Sequence, residues 1–278
     1  MKKIGFIDYF LDEWHAEKYP EWIEKASDGK MKVAYAYGKT NIKGKLSNAD
    51  WSRKKGIQLL DSIEAVVEQS DYLIVLSPDH PEYHEELSQL PLRSGKPTYI
   101  DKTFAPDRAA AVRMFELADK HGTPMYSTSA LRFAAEYSEL EKQGIESICS
   151  LGPGKFENYS IHQVEPIVSL MGTDVKRIMW MGTANTSALL IQYPDGRQGT
   201  INLYGWECPF SMALSYQAGQ SNFLKIESNF FGAFIENLIS FFESCNPVVP
   251  QAETIAIATI LEYGMKAAKT PYQWLELP

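Results

Sequence analysis

The feature that most constrains the fold is an alternation of short β-rich runs with helical stretches through the first 127 residues. Such alternation builds a parallel sheet covered by helices on both faces, because two parallel strands need a crossover connection. Strands are predicted at residues 3–8, 31–37, 71–77, 97–101 and 124–128. We therefore expect an α/β fold with a doubly wound parallel sheet over residues 1–128.

Prolines and capping residues suggest where the helices of this half begin. Pro20 and Pro106 each suit the first position of a helix, where the missing N–H has no intrahelical partner. Asp61 and Glu64 resemble a capping box for a helix that ends near residue 69. These positions predict one helix after each of three strands.

The second half, residues 129–278, has a different pattern. Strand-like runs at 177–181, 187–193 and 199–204, with a turn at 194–196, are typical of antiparallel hairpins. A helix with a phenylalanine-rich face follows at about 231–242, where packing against a sheet is favoured over a ligand site, and another helix is predicted at 251–268. We expect an α/β domain built on an open, mostly antiparallel sheet.

Charge and composition exclude several classes of protein. The net charge of −8 gives no reason to expect nucleic acid as a partner, since that binding depends on neutralising phosphates. Acidic residues interrupt the apolar start of the chain, and no long apolar run predicts a membrane span, so a cytoplasmic protein without a membrane partner is expected. Three widely spaced cysteines predict buried free thiols.

Several motifs occur in an order that resembles one family of enzymes. The segment 71–77 runs into Ser77-Pro78 with His84 close behind, followed by Gly95-Lys96 and then by Asp101-Lys102-Thr103. The segment ENYSIHQVEPIVSLMG at 157–172 and the segment QYPDGRQGTINLY at 192–204 continue the likeness. Together they resemble the glucose-fructose oxidoreductase and inositol dehydrogenase family (Gfo/Idh/MocA) over nearly the whole chain.

This resemblance implies a Rossmann domain followed by a substrate and oligomerisation domain. It also implies transfer of hydride between NAD or NADP and a secondary alcohol of a sugar, polyol or related small molecule. The residues that match the family's cofactor-binding positions are Asp8, Tyr9, Leu11, Ser77, Pro78, His84 and Asp101. The family also implies a homodimer or homotetramer, because an antiparallel sheet often leaves one face to be covered.

By the same resemblance, Lys102, His162 and Asn158 match the catalytic positions. His162 would act as the general base, and Lys102 would orient the hydroxyl and stabilise negative charge on its oxygen. The alternative for Lys102 is an ordinary exposed lysine, and the alternative for His162 is a polar residue in the first turn of a helix. Asn158 departs from the family's aspartate, and an amide cannot stabilise an imidazolium by charge.

Two further residues are predicted to contact substrate, and no metal site is expected. Arg132 and Tyr159 suit a polar ligand, although an arginine here also suits an ion pair and a tyrosine suits the core. His162 and Glu165 provide only two possible metal ligands, and no cysteine has helpful spacing.

The loop after the first strand departs most from the resemblance. A Rossmann site uses glycines there so that the pyrophosphate can approach backbone N–H groups, yet no glycine occurs between Gly5 and Gly29. The loop is acidic instead, whereas residues 38–55 are basic and fit either a solvated loop or a site for the 2′-phosphate of NADP. Two hypotheses follow: an NAD(P)-dependent oxidoreductase, or a non-catalytic homologue that binds a small molecule or a partner.

Overall fold

The computed structural model describes residues 1–278 and divides into two compact units. The first unit contains Met1–Thr128 and Gly232–Gln251, and the second contains Ser129–Phe231 and Ala252–Pro278. The first break, between residues 128 and 129, coincides with the domain boundary drawn from the sequence. The segment 232–251 belongs to the first unit, whereas the sequence division placed it in the second domain.

The first unit is built on a six-stranded parallel sheet whose order is β3-β2-β1-β4-β5-β6. The strands are β1 (Lys2–Asp8), β2 (Met31–Gly38), β3 (Gln58–Leu59), β4 (Tyr72–Val75), β5 (Thr98–Ile100) and β6 (Met125–Tyr126). Strand order reverses between β1 and β4, which creates the crevice where doubly wound sheets bind ligands. The predicted doubly wound sheet is confirmed.

The helices of this unit are α1 (Trp14–Ala26), α2 (Asn48–Lys55), α3 (Ile63–Gln69), α4 (His84–Ser88) and α5 (Arg108–His121). The predicted start of α1 was wrong, because Glu13 caps the helix and Pro20 lies inside it. The caps of α3 and α5 are Ser62 and Asp107, whose side chains each accept a hydrogen bond from the backbone N–H three residues on. In each case a capping side chain, rather than proline, sets the start.

Helix α9 (Phe230–Ser244) packs against the parallel sheet through its phenylalanines. The ring of Phe242 stacks on Tyr72 with centroids 4.8 Å apart, and Phe241 meets Tyr126 edge to face at 4.7 Å. Buried aromatic pairs of this kind contribute about 1 kcal/mol each beyond the apolar area they bury. The apolar face predicted from the sequence is therefore a packing surface.

The second unit is built on a seven-stranded sheet of order β12-β11-β7-β10-β9-β8-β13. Its strands are β7 (Ile145–Pro153), β8 (Arg177–Trp180), β9 (Ser187–Gln192), β10 (Gln198–Tyr204), β11 (Ser211–Tyr216), β12 (Ser221–Lys225) and β13 (Trp274–Glu276). Only the β7–β10 pair is parallel, so the mostly antiparallel sheet is confirmed. The strands that combine polar and small residues, among them β7, β11 and β12, were not predicted from the sequence.

Helices α6 (Ala135–Ser138), α7 (Phe156–Tyr159), α8 (Ile161–Met171) and α10 (Gln251–Ala267) complete the second unit. Val164, Ile167 and Val168 of α8 join the apolar core formed by inward-facing residues of the sheet. Outward-facing positions alternate with these, and Cys149 on β7 is one of them. The expectation of buried thiols was wrong, because Cys149 and Cys245 are exposed and Cys208 is half-buried. No helix is long and apolar enough to cross a membrane.

Candidate functional site

The carboxyl ends of β1, β4 and β5 bring several of the predicted residues to one edge of the first unit. Asp8 ends β1, Ser77 and Pro78 follow β4, and Asp101 and Lys102 follow β5. These three strands are hydrogen-bonded neighbours that run in the same direction, so their ends share an edge. This is the edge at which a doubly wound sheet binds its ligands.

The acidic loop after β1 is folded onto the start of helix α1. The Glu13 carboxylate accepts a hydrogen bond from the N–H of His15 at 2.7 Å and a second from the N–H of Ala16. The N–H of Leu11 donates to the side-chain oxygen of Asn48 at 3.0 Å. Backbone donors of the loop and of the helix N-terminus are therefore bound by the protein's own side chains.

Two carboxyl groups in this region are buried and protonate easily. Asp8 is 1% exposed, and neither of its carboxyl oxygens has a hydrogen-bond partner. Burial, followed by the nearby charge of Glu13, raises the pKa of Asp8 well above its ordinary value. Burial likewise raises the pKa of Glu13 to about 7. Close to neutral pH, the edge therefore holds less negative charge than its composition suggests.

His15 forms an ion pair with the carboxylate of Asp101. Its Nδ1 lies 3.0 Å from Oδ2 of Asp101 and 3.6 Å from Oε2 of Glu13, while the Tyr99 hydroxyl donates to Oδ1 of Asp101 at 3.0 Å. Burial opposes protonation of His15, but Asp101 and Glu13 outweigh it and raise the pKa of the imidazole. Burial also opposes ionisation of Asp101, yet His15, Lys102 and Tyr99 hold the pKa of that carboxyl below its usual value.

Lys102 is buried at the end of β5. Its side chain is 8% exposed, and Nζ donates to the carbonyl of Pro78 at 3.1 Å and lies 3.7 Å from the Asp79 carboxylate. The alternative of an ordinary exposed lysine is therefore wrong. Ser77 is buried as well, and its hydroxyl donates to the carbonyl of His80 at 3.1 Å. The loops after β4 and β5 are thus joined through the lysine.

The remaining predicted cofactor contacts are used within the protein. His84 is fully buried, with its ring nitrogens 3.0 Å from the carbonyl of Phe104 and 2.5 Å from that of Leu76. Leu11 is also fully buried, and the ring of Tyr9 stacks on Tyr83 with centroids 4.1 Å apart. These side chains hold loops together at the sheet edge.

The basic segment 38–55 pairs with the acidic segment that follows β1. Lys54 and Lys55 lie 3.0 and 2.6 Å from the Glu17 carboxylate, and Lys45 donates to the backbone carbonyl of Asp12 at 3.0 Å. Part of this segment is helix α2, so the interpretation as a solvated loop was wrong for residues 48–55. Positive charge that suited an NADP phosphate is therefore largely engaged by local carboxylates and carbonyls.

The second unit positions His162 through Ser129. Nδ1 of His162 lies 2.6 Å from the Ser129 hydroxyl, and the backbone N–H of Ser129 donates to Glu165 at 2.6 Å. Tyr159 packs edge to face against the His162 ring with centroids 5.2 Å apart. Asn158 is exposed on the short helix α7. Ser129 was not predicted, because nothing in the sequence around it distinguishes it from an ordinary loop serine.

Arg132 lies between two carboxylates of the second unit. Its guanidinium is 2.6 Å from Glu253 and 3.5 Å from Glu165, and its side chain is 14% exposed. Arg132 is thus an ion-pair partner, which was the alternative considered from the sequence, although the pair is partly buried and not on the surface. A role in substrate binding remains a prediction.

A dinucleotide bound in the common Rossmann manner does not fit this edge. That mode places the pyrophosphate on free N–H groups at the first helix, with glycines allowing its close approach. Here Glu13 binds those N–H groups, and the buried carboxyl of Asp8 lies at the end of β1, the strand that precedes this helix. The pyrophosphate would have to displace the Glu13 side chain from both N–H groups.

The parallel sheet of order 3-2-1-4-5-6, followed by a mostly antiparallel sheet, gives this chain the fold of the Gfo/Idh/MocA oxidoreductases, in agreement with its motifs. A probable dehydrogenase from Thermotoga maritima has 14% identity and a TM-score of 0.80, over 99% of this chain and 98% of that chain. Myo-inositol 2-dehydrogenase from Lactobacillus plantarum has 13% identity and a TM-score of 0.81, over 100% and 99%. GenD2 from gentamicin A biosynthesis, solved in complex with NAD, has 11% identity and a TM-score of 0.78, over 100% and 96%. No protein-family model matches the chain, and no curated protein sequence is significantly similar to it.

Proposed function

We propose that this protein binds a small sugar-like molecule at the carboxyl edge of its parallel sheet, without a dinucleotide bound in the common manner. The observation that carries the proposal is the Glu13 carboxylate, which binds the N–H groups of His15 and Ala16 where a pyrophosphate would bind. The ligand class is supported by the fold, since inositol dehydrogenases are among the structural neighbours. The buried Lys102 and the half-buried His15 supply polar groups suited to hydroxyl oxygens.

The proposal is tested by titrating the purified protein with NADH and NADPH and following nicotinamide fluorescence. We expect no saturable binding at millimolar concentrations, and saturable binding by the wild-type protein would contradict the proposal. Glu13→Ser removes the carboxylate and frees at least one of the two N–H groups, because a serine cap accepts from only one of them. It should bind NADH more tightly than the wild-type protein does. Glu21→Ser, an equal charge change at an exposed position of the same helix, is the matched control.

Ligand binding is tested separately by calorimetry with myo-inositol and related polyols. We expect heat of binding with at least one polyol, and the same heat with the Glu21→Ser control. If no polyol binds while NADH does, the protein belongs with the dehydrogenases in function as well as in fold.

The second candidate function is an NAD(P)-dependent dehydrogenase that acts on a secondary alcohol of a sugar or polyol. The burial of Lys102 favours it, because a buried ammonium beside a ligand stabilises negative charge on oxygen better than an exposed one. In this candidate Lys102, His162 and Asn158 keep the roles implied by the family resemblance. Turnover of a polyol with NAD or NADP, lost in Lys102→Ala, would establish it.

We also propose that a second copy of the chain covers the outward face of the seven-stranded sheet. Side chains on this face or at its rim include Cys149, Tyr204 and Phe223, of which Phe223 is 69% exposed. A homodimer or homotetramer would remove this apolar area from water. Light scattering should give twice or four times the 31.4 kDa of one chain, and Phe223→Asp should shift the mass toward the monomer.

A further inference from the structure

The imidazole of His15 is held by a carboxylate on one side and is open on the other. Nδ1 faces Oδ2 of Asp101 at 3.0 Å, and the hydroxyl of Tyr99 supports the same carboxylate from behind. The Nδ1–Oδ2 contact is an ion pair without the angle of a hydrogen bond, whereas Nε2 has no partner within the protein and is not among its fully buried polar atoms. A carboxylate 3.0 Å from Nδ1 favours the protonated imidazole by charge, and Nε2, on the other side of the ring, is then a hydrogen-bond donor.

We propose that His15, oriented by Asp101, is a ligand-binding group of this edge and donates its Nε2 proton in a hydrogen bond to an acceptor oxygen of the ligand. The chemical class is a hydroxyl or carbonyl oxygen of a small polyol-like molecule. The inference deepens the proposed function and rests on it. Neither the motifs nor the family resemblance assigns a role to His15, which lies in the first turn of the helix that follows the glycine-free loop.

The charges around His15 determine its protonation state. Asp101 and Glu13 are the carboxyl groups that face it, and Lys102 is the cation that opposes its charge. The rings of Tyr19 and Trp14 lie 5.1 and 5.2 Å from the imidazole by centroid and restrict its rotation. The carboxylate of Asp101 at 3.0 Å favours the form of the ring that carries a proton on both nitrogens, and in that form Nε2 is a donor.

The position of His15 relative to the strands explains why it is available to a ligand. Asp101 and Lys102 follow β5 directly, and His15 lies in the first turn of α1, which follows β1. The ion pair with Asp101 therefore brings the imidazole to the edge where β1, β4 and β5 end. A ligand at this edge would meet the imidazole and the Lys102 ammonium together.

The experiment measures binding of myo-inositol by calorimetry between pH 5 and 9 for the wild-type protein, His15→Asn and Asp101→Asn. We expect His15→Asn to weaken binding about tenfold or more, because a charge-assisted hydrogen bond is lost. Wild-type affinity should fall as the pH rises through the pKa of His15, and this dependence should disappear in His15→Asn. In Asp101→Asn the fall should move to lower pH, since the opposite charge that raises the pKa of His15 is removed.

His121→Asn is the matched control, because His121 is exposed at the end of α5, at the opposite edge of the sheet. It should retain both the affinity and the pH dependence of the wild-type protein. Binding that survives His15→Asn with an unchanged pH profile would overturn this inference alone. Absence of polyol binding by the wild-type protein would overturn the proposed function and this inference with it.

Discussion

Each unit of the protein contains a partly buried histidine whose Nδ1 lies against a neighbouring side chain, and these two side chains differ in charge. In the first unit this side chain is the carboxylate of Asp101, 3.0 Å from His15. In the second unit it is the hydroxyl of Ser129, 2.6 Å from His162. A carboxylate stabilises the protonated ring, whereas a hydroxyl orients the ring without favouring the cation.

This comparison shows that the orienting carboxylate expected from the family resemblance is found beside the other histidine. The family places an aspartate four residues before the histidine of the second domain, and this chain has the exposed Asn158 there. The chain instead pairs His15 with Asp101, which follows a strand of the first unit. The charged imidazole–carboxylate pair therefore belongs to the unit whose first loop contains no glycine.

The largest expected effect is that of Asp101→Asn on stability. Removing one partner from a buried ion pair leaves the other charge uncompensated, and such changes typically cost about 4 kcal/mol. Asp101 is 1% exposed and also accepts from Tyr99, so its loss disturbs two contacts. Urea unfolding at pH 7 should show this loss in the free energy of unfolding. A loss below about 1 kcal/mol would mean that the pair resembles the neutral one in the second unit.

The next effect concerns the pH dependence of stability and the Glu13→Gln variant. Burial raises the pKa of Glu13 to about 7, so the folded protein holds a proton that the unfolded chain releases from about pH 4.5 upward. Stability therefore falls as the pH rises from about 4.5 to 7, and Asp8, whose pKa is also raised, acts in the same direction. Glu13→Gln should flatten this fall by on the order of 3 kcal/mol between pH 5 and 8.

His15 also makes stability depend on pH, and because its pKa is raised it stabilises the folded protein at low pH. Its stabilising contribution is fully present below the unfolded value of 6.5 and is lost as the pH rises through the higher folded value. Glu13→Gln leaves Asp101 in place, so the part of the decline above pH 7 should persist. Urea midpoints at several pH values measure both parts, with Glu21→Gln as the exposed control on α1. An unchanged decline from pH 5 to 7 would show that Glu13 does not carry it.

A smaller effect is expected for Ser129→Ala in the second unit. The change removes a neutral hydroxyl that contacts Nδ1 of His162 and accepts from the N–H of Leu131 at 3.2 Å. Net contributions of neutral hydrogen bonds are about 1 kcal/mol each, so the free energy of unfolding should fall by about 1 to 2 kcal/mol. The change removes no charge, and we expect the dependence of stability on pH to stay as in the wild-type protein. A steeper dependence would indicate that Ser129 acts on a charged ring.

The sequence predicted the fold better than it predicted the site. Apolar runs, and the proline, glycine and capping residues between them, identified the parallel strands of the first unit, because buried strands such as residues 71–77 are continuous apolar runs. Strand β7 was missed because its exposed positions include Glu146 and Cys149, which give a weak alternation. Helix α1 was started too late because Glu13 is an uncommon capping residue and Pro20 a common first residue.

The site depends on contacts between residues that are far apart in the chain. Asp101 and Lys102 were found because their order matches a motif, whereas the pairing of Asp101 with His15 joins residues 86 positions apart. The acidic loop was recognised as unsuited to a phosphate, but the carboxylate that binds the helix N–H groups could not be identified from four acidic residues without coordinates. The composition of the loop indicated a conflict between its acidic residues and a bound phosphate. Only the structure shows that Glu13 is the residue that binds the helix N–H groups.

The smallest effect is expected for Asn158→Asp, which restores the family's carboxylate to the second unit. An exposed carboxylate remains solvated, so its interaction with a neighbouring ring is screened, and such surface changes typically alter stability by about 0.5 kcal/mol or less. Urea unfolding at pH 5 and pH 8 should therefore match the wild-type protein within that margin. Asp101 differs because its burial removes the screening. If Asn158→Asp instead stabilised the protein strongly at pH 5 and not at pH 8, burial would not be what separates the two histidines, since a surface carboxylate would then hold His162 as firmly as Asp101 holds His15.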